Sequence, residues 1–196
     1  MSNFTIMTDV NTDVFPAYAE AEGIVILPQY YHFDDGVVYG DEINLSSEEF
    51  YGRLANGEKS LSMGCNPARV QELFEEELKD GKDILCIMFS SELSGSYNTV
   101  VNVGNELMEE YPDRKIYVID SLNASAGAGM MVYMARDMQK SGAAPEEIVK
   151  HIEGNANSEW ILVDGIDYIV HIFVNDARTR YGLEKMWADL DIYRVG

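Results

Sequence analysis

The sequence predicts an α/β fold: a parallel sheet covered by helices on both faces, a three-layer α/β/α arrangement. Three apolar runs of strand length carry this reading: residues 83–89, with Ile84-Leu85-Cys86-Ile87-Met88-Phe89, then residues 116–119, and residues 160–163, Trp160-Ile161-Leu162-Val163. Helical patterns over 97–111, 124–140 and 145–153 separate them, and small polar loops leave the first two strands. Strands alternating with helices in this way are joined by crossovers, and crossovers make neighbouring strands parallel.

The elements follow in chain order. Thr5-Ile6-Met7-Thr8 alternates into Asp9 as a first strand, and a brief helix begins at Pro16. Ile24-Val25-Ile26-Leu27 is a second strand, closed by Pro28, which has no N–H to give a sheet. Residues 29–39 predict a hairpin around Asp34-Asp35-Gly36. Ser46-Ser47-Glu48-Glu49 is a capping signature that opens a helix, with Phe50, Tyr51 and Leu54 as its apolar stripe. Asn66-Pro67 opens the next helix, in which Val70, Leu73, Phe74 and Leu78 recur at helical spacing. The segment between those two helices is expected to be irregular. Beyond residue 170 the pattern weakens, with a short helical stretch holding Leu183, Met186, Trp187 and Leu190.

Composition narrows the function. The chain has 196 residues, 34 acidic against 14 basic, and a formal net charge of −20. A field of that sign repels nucleic acid, so nucleic-acid binding is excluded. Cys65 and Cys86 are too few for a disulfide framework and suit a reducing, cytoplasmic setting. No signal peptide is expected at the start, and no apolar stretch is long enough to span a bilayer.

Open parallel sheets bind ligands at the carboxyl ends of their strands. Three loops qualify: residues 60–66, residues 90–96 and residues 120–125. The second, Ser90-Ser91-Glu92-Leu93-Ser94-Gly95-Ser96, places four serines and a glycine before a helix N-terminus. Backbone N–H groups and hydroxyls there can hold an anion without importing charge. One or two of the serines are explained as ordinary caps, but four are not. In the first loop Ser62 and an exposed-looking Cys65 precede a capped helix, which is also the pattern of a plain connection. In the third, Gly127 and Gly129 follow Ser125 and permit close helix packing, but their spacing is not that of a dinucleotide fingerprint.

Enzyme signatures are mostly missing. No zinc, calcium or nucleotide-phosphate motif occurs, so no metal and no cofactor is expected. Ser94 is not in a nucleophile elbow, and none of His32, His151 and His171 is spaced to serve it as a base. Met130, Met131, Met134 and Met138 on one helix read as adaptable core, although such a wall also suits an acyl chain.

Together the three loops resemble the DegV family of bacterial lipid-binding proteins. Ser90-Ser91-Glu92-Leu93-Ser94-Gly95-Ser96-Tyr97 is similar to that family's Ser-Ser-x-Leu-Ser-Gly-Thr-Tyr, with Ser96 in place of threonine. Thr8-Asp9, Phe50-Tyr51 after Asp41, and Ile119-Asp120-Ser121 with Ser125 and Gly127 fit as well. The resemblance implies a DegV-like lipid-binding domain over 1–169, non-catalytic, that buries a long-chain fatty acid and presents its carboxylate to a separate fatty acid kinase making acyl phosphate. Carried over residue by residue, it places the carboxylate on Ser94, Gly95 and Ser62, with Ser96, Ser125 and Met63 as further pocket residues. Ser62 opens Ser62-Met63-Gly64-Cys65-Asn66, which keeps only the hydroxyl of the family's Thr-Ser-Gln-Pro-Ser-like segment.

Two departures shape the expectation. Residues 163–169 resemble the family's strand and short helix, but no Gly-Gly-Arg motif follows. Residues 170–196 are read as a divergent tail in place of a second lobe, which predicts an exposed apolar face and either self-association through it or an altered tail packed over it. Two alternatives remain open: a serine hydrolase or acyl transferase with Ser94 as nucleophile, and a non-binding remnant kept for protein contacts.

Overall fold

The structure, a computed structural model, describes the backbone of residues 3–156, 160–165 and 168–173, and the side chains of residues 3–152. The chain divides into two compact units, Met1–Glu153 and Gly154–Gly196. In order, the first holds β1 (Phe4–Asp9), a single 3-10 turn (Val10–Thr12), α1 (Pro16–Glu22), β2 (Val25–Leu27), β3 (Tyr30–His32) and β4 (Val38–Tyr39). Then come α2 (Ser47–Ala55), β5 (Leu61–Met63), α3 (Pro67–Lys79), β6 (Asp83–Met88), α4 (Ser96–Glu110), β7 (Ile116–Asp120), α5 (Ala126–Lys140) and α6 (Pro145–Ala156), which runs across the division. The second unit holds β8 (Trp160–Gly165) and β9 (Tyr168–Phe173).

The main sheet has the order β2-β1-β6-β7, and every pairing in it is parallel. Parallel strands covered on both sides are apolar on both sides, and all six residues of β1 are buried. One face sends Met7, Ile84, Cys86, Met88 and Ile116 into a core closed by Val70, Phe74 and Leu78 of α3 and by Val100, Val103 and Leu107 of α4. The alternate residues of β6, Leu85 and Ile87, are fully buried on the other face, where α5 crosses β1 and β6. Gly129 lets α5 lie close against the 3-10 turn that follows β1: a Cβ built there would lie 2.4 Å from the Thr12 carbonyl oxygen. The expected α/β/α layering is therefore what forms.

Three features differ from the sequence reading. Residues 61–63, expected to be irregular, form β5 and pair antiparallel with β3, which also pairs with β4 across the Asp-Gly hairpin. All three residues of β5 are exposed, so no hydrophobic periodicity marked it. Only Phe50 of the α2 stripe is half-buried, while Tyr51 and Leu54 face solvent. Finally, the Trp160 strand does not continue the parallel series. β8 pairs antiparallel with β9, Trp160 opposite Phe173 and Gly165 opposite Tyr168, so Tyr168 and Ile169 are strand rather than helix. A two-residue connection can close a hairpin, whereas a parallel partner needs a long crossover. The expected helical stretch at 183–190 lies outside the described residues.

Candidate functional site at the carboxyl edge of the sheet

From β1 the chain crosses to β2 on one side, and β6 lies on the other, so the sheet changes direction between β1 and β6. A crevice opens at such a switch point, beyond the carboxyl ends of the two strands. Asp9 ends β1 there, fully buried. Its carboxylate accepts the backbone N–H of Phe89, just past β6, at 2.8 Å, and that of Asn11 at 2.8 Å. Burial pushes the Asp9 carboxyl above its ordinary value, and the two N–H bonds oppose that shift. Asp9 thus ties the two strand ends together at the carboxyl edge of the sheet.

The serine loop starts at that tie. Ser90 is buried, its N–H donates to the Asn123 carbonyl, and its own carbonyl accepts the N–H groups of Leu93 and Ser94. Ser91 N–H donates to Asp120 at the end of β7. The second and third loops are therefore stitched together at their bases. Ser94, half-buried, stands at the start of α4: its Oγ accepts the Ser96 N–H at 3.2 Å, and its hydroxyl donates to Ser96 Oγ at 3.1 Å. The capping explanation therefore accounts for one lone pair of Ser94. Its proton is engaged by another hydroxyl and not by the backbone. Gly95 opens α4 exposed and without a side-chain cap.

Ser96 is the junction. Buried to 2% exposure, its Oγ accepts the Cys65 N–H at 3.2 Å as well as the Ser94 hydroxyl, and it donates to Gln29 Oε1 at 3.1 Å. Three segments distant in sequence meet at this one oxygen. Gly64 fits beside it, since a Cβ there would stand 3.3 Å from Ser96 Oγ. Ser62, exposed on β5 opposite Tyr31, lies two residues before Gly64, and Met63 between them is 45% exposed.

Of the residues singled out from sequence, Ser94, Gly95 and Ser96 thus meet the backbone of residues 64–65, and Ser62 and Met63 lie just before it on β5. Ser125 is not part of that network. It adopts a left-handed φ of 52°, its N–H donates to the Asn11 carbonyl, and its hydroxyl donates to Asp13. Cys65 is buried, not exposed as its loop position suggested, and burial raises its thiol pKa. It is held as a neutral packing group. Asp9 and Gln29 were missed as site residues. A strand that ends on an acid at a crossover offered a signal for Asp9. Gln29 offered none, because the Ser96 hydroxyl that it accepts lies 67 residues away.

Two other readings meet the geometry here. Among the described residues, no histidine or carboxylate hydrogen-bonds Ser94; His32 Nδ1 lies 3.1 Å from the Phe33 carbonyl oxygen, and His151 is exposed. No metal-binding cluster of His, Cys, Asp or Glu occurs among the described residues, and no described helix is long and apolar enough to cross a membrane. The methionines of α5 divide: Met131 is core, whereas Met130, Met134 and Met138 line a surface cavity of about 620 Å³ with Tyr133 and Asp137, which does not include Ser94. Within the serine loop itself Leu93 is 66% exposed.

Parallel α/β architecture with hydroxyl groups gathered at the switch point places the chain among open-sheet α/β proteins. The chain belongs to the DegV family: the family model described as "Uncharacterised protein, DegV family" matches residues 3–171. A DegV domain-containing protein of Clostridium perfringens is 35% identical over 173 residues, covering 86% of this chain and 59% of the relative. One from Caldanaerobacter subterraneus is 31% identical over 171 residues with the same coverage. The chain thus spans 59% of the length of these relatives. Among solved structures, a stearic acid-binding protein from Eubacterium ventriosum superposes with a TM-score of 0.72 at 22% identity, covering 84% of this chain and 58% of that one. DegV of Bacillus subtilis, a fatty acid binding protein, gives 0.72 at 19%, covering 96% and 79%. The fatty acid kinase B3 protein of Streptococcus pneumoniae, loaded with linoleic acid, gives 0.64 at 25%, covering 83% and 57%.

Proposed function

We propose that this protein binds a long-chain fatty acid at the carboxyl edge of its sheet, without catalysing a reaction, and presents the carboxylate to a partner acyl kinase. The observation that carries this reading is the meeting of the Ser94 turn and the 62–65 segment at Ser96. It gathers uncharged donors at one point of a molecule with a formal charge of −20. Ser94 Oγ–H and Ser62 Oγ–H are the hydroxyl donors, the Gly95 N–H at the start of α4 adds a backbone donor, and the helix N-terminus favours the negative charge. The exposed Leu93, next to Ser94 in the loop, offers apolar surface to the start of the acyl chain. Fatty acids in solved relatives of the same fold support the ligand class.

Magnitudes allow it. A hydrogen bond to a charged partner contributes about 1.5–3 kcal/mol, so losing one such donor weakens binding about 10- to 100-fold. Titration of the delipidated protein with oleate should therefore show that loss in Ser94→Ala. The same substitution removes the acceptor for Ser96 N–H and costs about 0.5–2 kcal/mol of stability, leaving the domain folded. Equal oleate affinity in the two proteins, or no affinity in the wild type, overturns the reading. Ser94 as a nucleophile is disfavoured by its partners, which are another serine's N–H and hydroxyl.

A further inference from the structure

Behind the ligand-facing serine lies a hydrogen-bond chain whose far end is unbalanced. Ser94 donates to Ser96, Ser96 donates to Gln29 Oε1, and the other terminus of that amide, Nε2, is buried with no hydrogen-bond partner. Buried amide donors left without an acceptor are rare in native interiors. Gln29 cannot withdraw easily. Its backbone carbonyl is pressed against Gly40, where an added Cβ would lie 2.0 Å from the oxygen and where the backbone holds a φ of +121° that suits glycine.

We propose that Gln29 sets the direction of this hydroxyl chain and reverses it when an acceptor ligand arrives. The inference rests on the fatty-acid reading above and names the residue that adapts the site to its head group. The amide of glutamine is nearly symmetric in shape, and half a turn about its last bond exchanges oxygen and nitrogen. Turned over, Nε2 donates to Ser96 Oγ, Ser96 donates to Ser94 Oγ, and the Ser94 proton is released toward the crevice. Each hydroxyl in the chain then has an acceptor, the last being the ligand's oxygen, and one N–H of Nε2 gains an acceptor where neither had one. The amide oxygen takes the place left by Nε2, and an unsatisfied carbonyl is tolerated more readily than an unsatisfied N–H. In the direction seen in the structure, Ser94 offers the crevice no proton, only what remains of its lone pairs. Gln29 is thus a positioning residue: it touches no ligand and decides whether Ser94 meets one as donor or as acceptor.

Two substitutions fix the direction in opposite senses. Ionised glutamate can only accept, so Gln29→Glu holds the Ser94 proton inward. Lysine can only donate, so Gln29→Lys holds it outward. The probes are oleate, methyl oleate, which can only accept, and oleyl alcohol, which can also donate. Binding of all three to the full chain is measured at mildly alkaline pH. The ester-to-alcohol affinity ratio should fall about tenfold in Gln29→Glu and rise in Gln29→Lys, in line with the worth of one hydrogen bond. A simple charge effect would shift oleate alone, because ester and alcohol are both neutral. If one variant fails to fold, the other still carries its own sign. A wild type that binds none of the probes overturns the fatty-acid reading and this inference with it. Wild-type binding of oleate with an unchanged ester-to-alcohol ratio in the folded variants overturns this inference alone.

Discussion

Helices α2 and α3 begin with equally good chemistry and end in different situations. α2 opens with a complete capping box, in which Ser46 Oγ accepts the Glu49 N–H and Glu49 accepts the Ser46 N–H. α3 opens with Asn66 accepting the Ala68 N–H and with Pro67 in its first turn. Yet α3 buries Val70, Phe74 and Leu78 against the parallel sheet, whereas no residue of α2 is buried. The region around α2, with β3, β4 and β5, is held instead by a small aromatic and ionic cluster around the buried Phe33 and Tyr39. Tyr31 stacks on Tyr39, Phe50 meets the rings of Tyr31 and Phe33 edge-on, and Arg53 lies 3.9 Å above the Phe33 ring while bonding Asp35 and Glu58. The difference shows how local signals and burial divide the labour. Caps start a helix, but an apolar face decides what it is anchored to. The site straddles the two regimes, with Ser94 and Ser96 rooted in the sheet core and Ser62 carried on the exposed strand β5.

The sharpest way to break that contrast is to empty the core side of it. Phe74 is fully buried between α3 and the sheet. Its truncation to alanine removes the transfer energy of a large side chain and leaves a cavity, so Phe74→Ala should lose about 3–5 kcal/mol. Urea unfolding monitored by circular dichroism measures it. A loss no larger than that of a surface substitution would mean that α3 is not anchored as described.

How much of this was legible in the sequence follows the same division. The strands and helices of the parallel sheet were readable because their apolar runs are continuous and their crossovers long. Asn66-Pro67 and Ser46 to Glu49 were readable because capping is local. β5 was not, since Leu61, Ser62 and Met63 are all exposed and the strand exists only through its register with Tyr30, Tyr31 and His32. The partner of β8 was not readable because a strand's apolar run does not say which strand it pairs with; it pairs antiparallel with β9, where a short helix was expected over residues 168–169. At the site, the serine loop announced itself through composition, whereas Gln29 and Cys65 join it by contacts of 67 and 31 residues in sequence separation, which no local pattern encodes.

Asp9 tests the seam between β1 and β6. In Asp9→Asn one of the two accepting oxygens becomes an amide nitrogen, so the N–H of Phe89 or of Asn11 loses its partner, a cost of about 1–3 kcal/mol. Removing a buried charge offsets part of that at neutral pH. Because burial raises the folded carboxyl above its ordinary 3.8, the folded state holds a proton that the unfolded chain has released, over the range between 3.8 and the raised value. Wild-type stability therefore falls as pH rises through that range and is flat with respect to this group above it. The variant lacks the titration. The wild type's advantage over Asp9→Asn should widen as pH is lowered from neutral into the range, as read from paired urea midpoints. A gap that stays constant with pH would remove Asp9 from the seam.

The smallest effect belongs to α2 and sharpens the comparison from the other side. Ser46→Ala deletes the acceptor for the Glu49 N–H and the hydroxyl that donates to the Glu49 carboxylate at 2.7 Å. A lost N-cap costs about 1 kcal/mol when the helix is part of the cooperative unit. α2 has no buried residue, so fraying of its first turn need not reach the sheet. Global unfolding should thus shift by less than a full cap's worth, while amide exchange speeds up in the first turn of α2 and not in α3. An Asn66→Ala substitution, which removes the α3 cap, makes the matched control, since α3 is packed into the core and should report the full loss in the global midpoint. Equal global losses from the two substitutions would show that α2 is as tightly coupled to the sheet as α3. Its aromatic and ionic contacts would then do the anchoring that burial does for its neighbour.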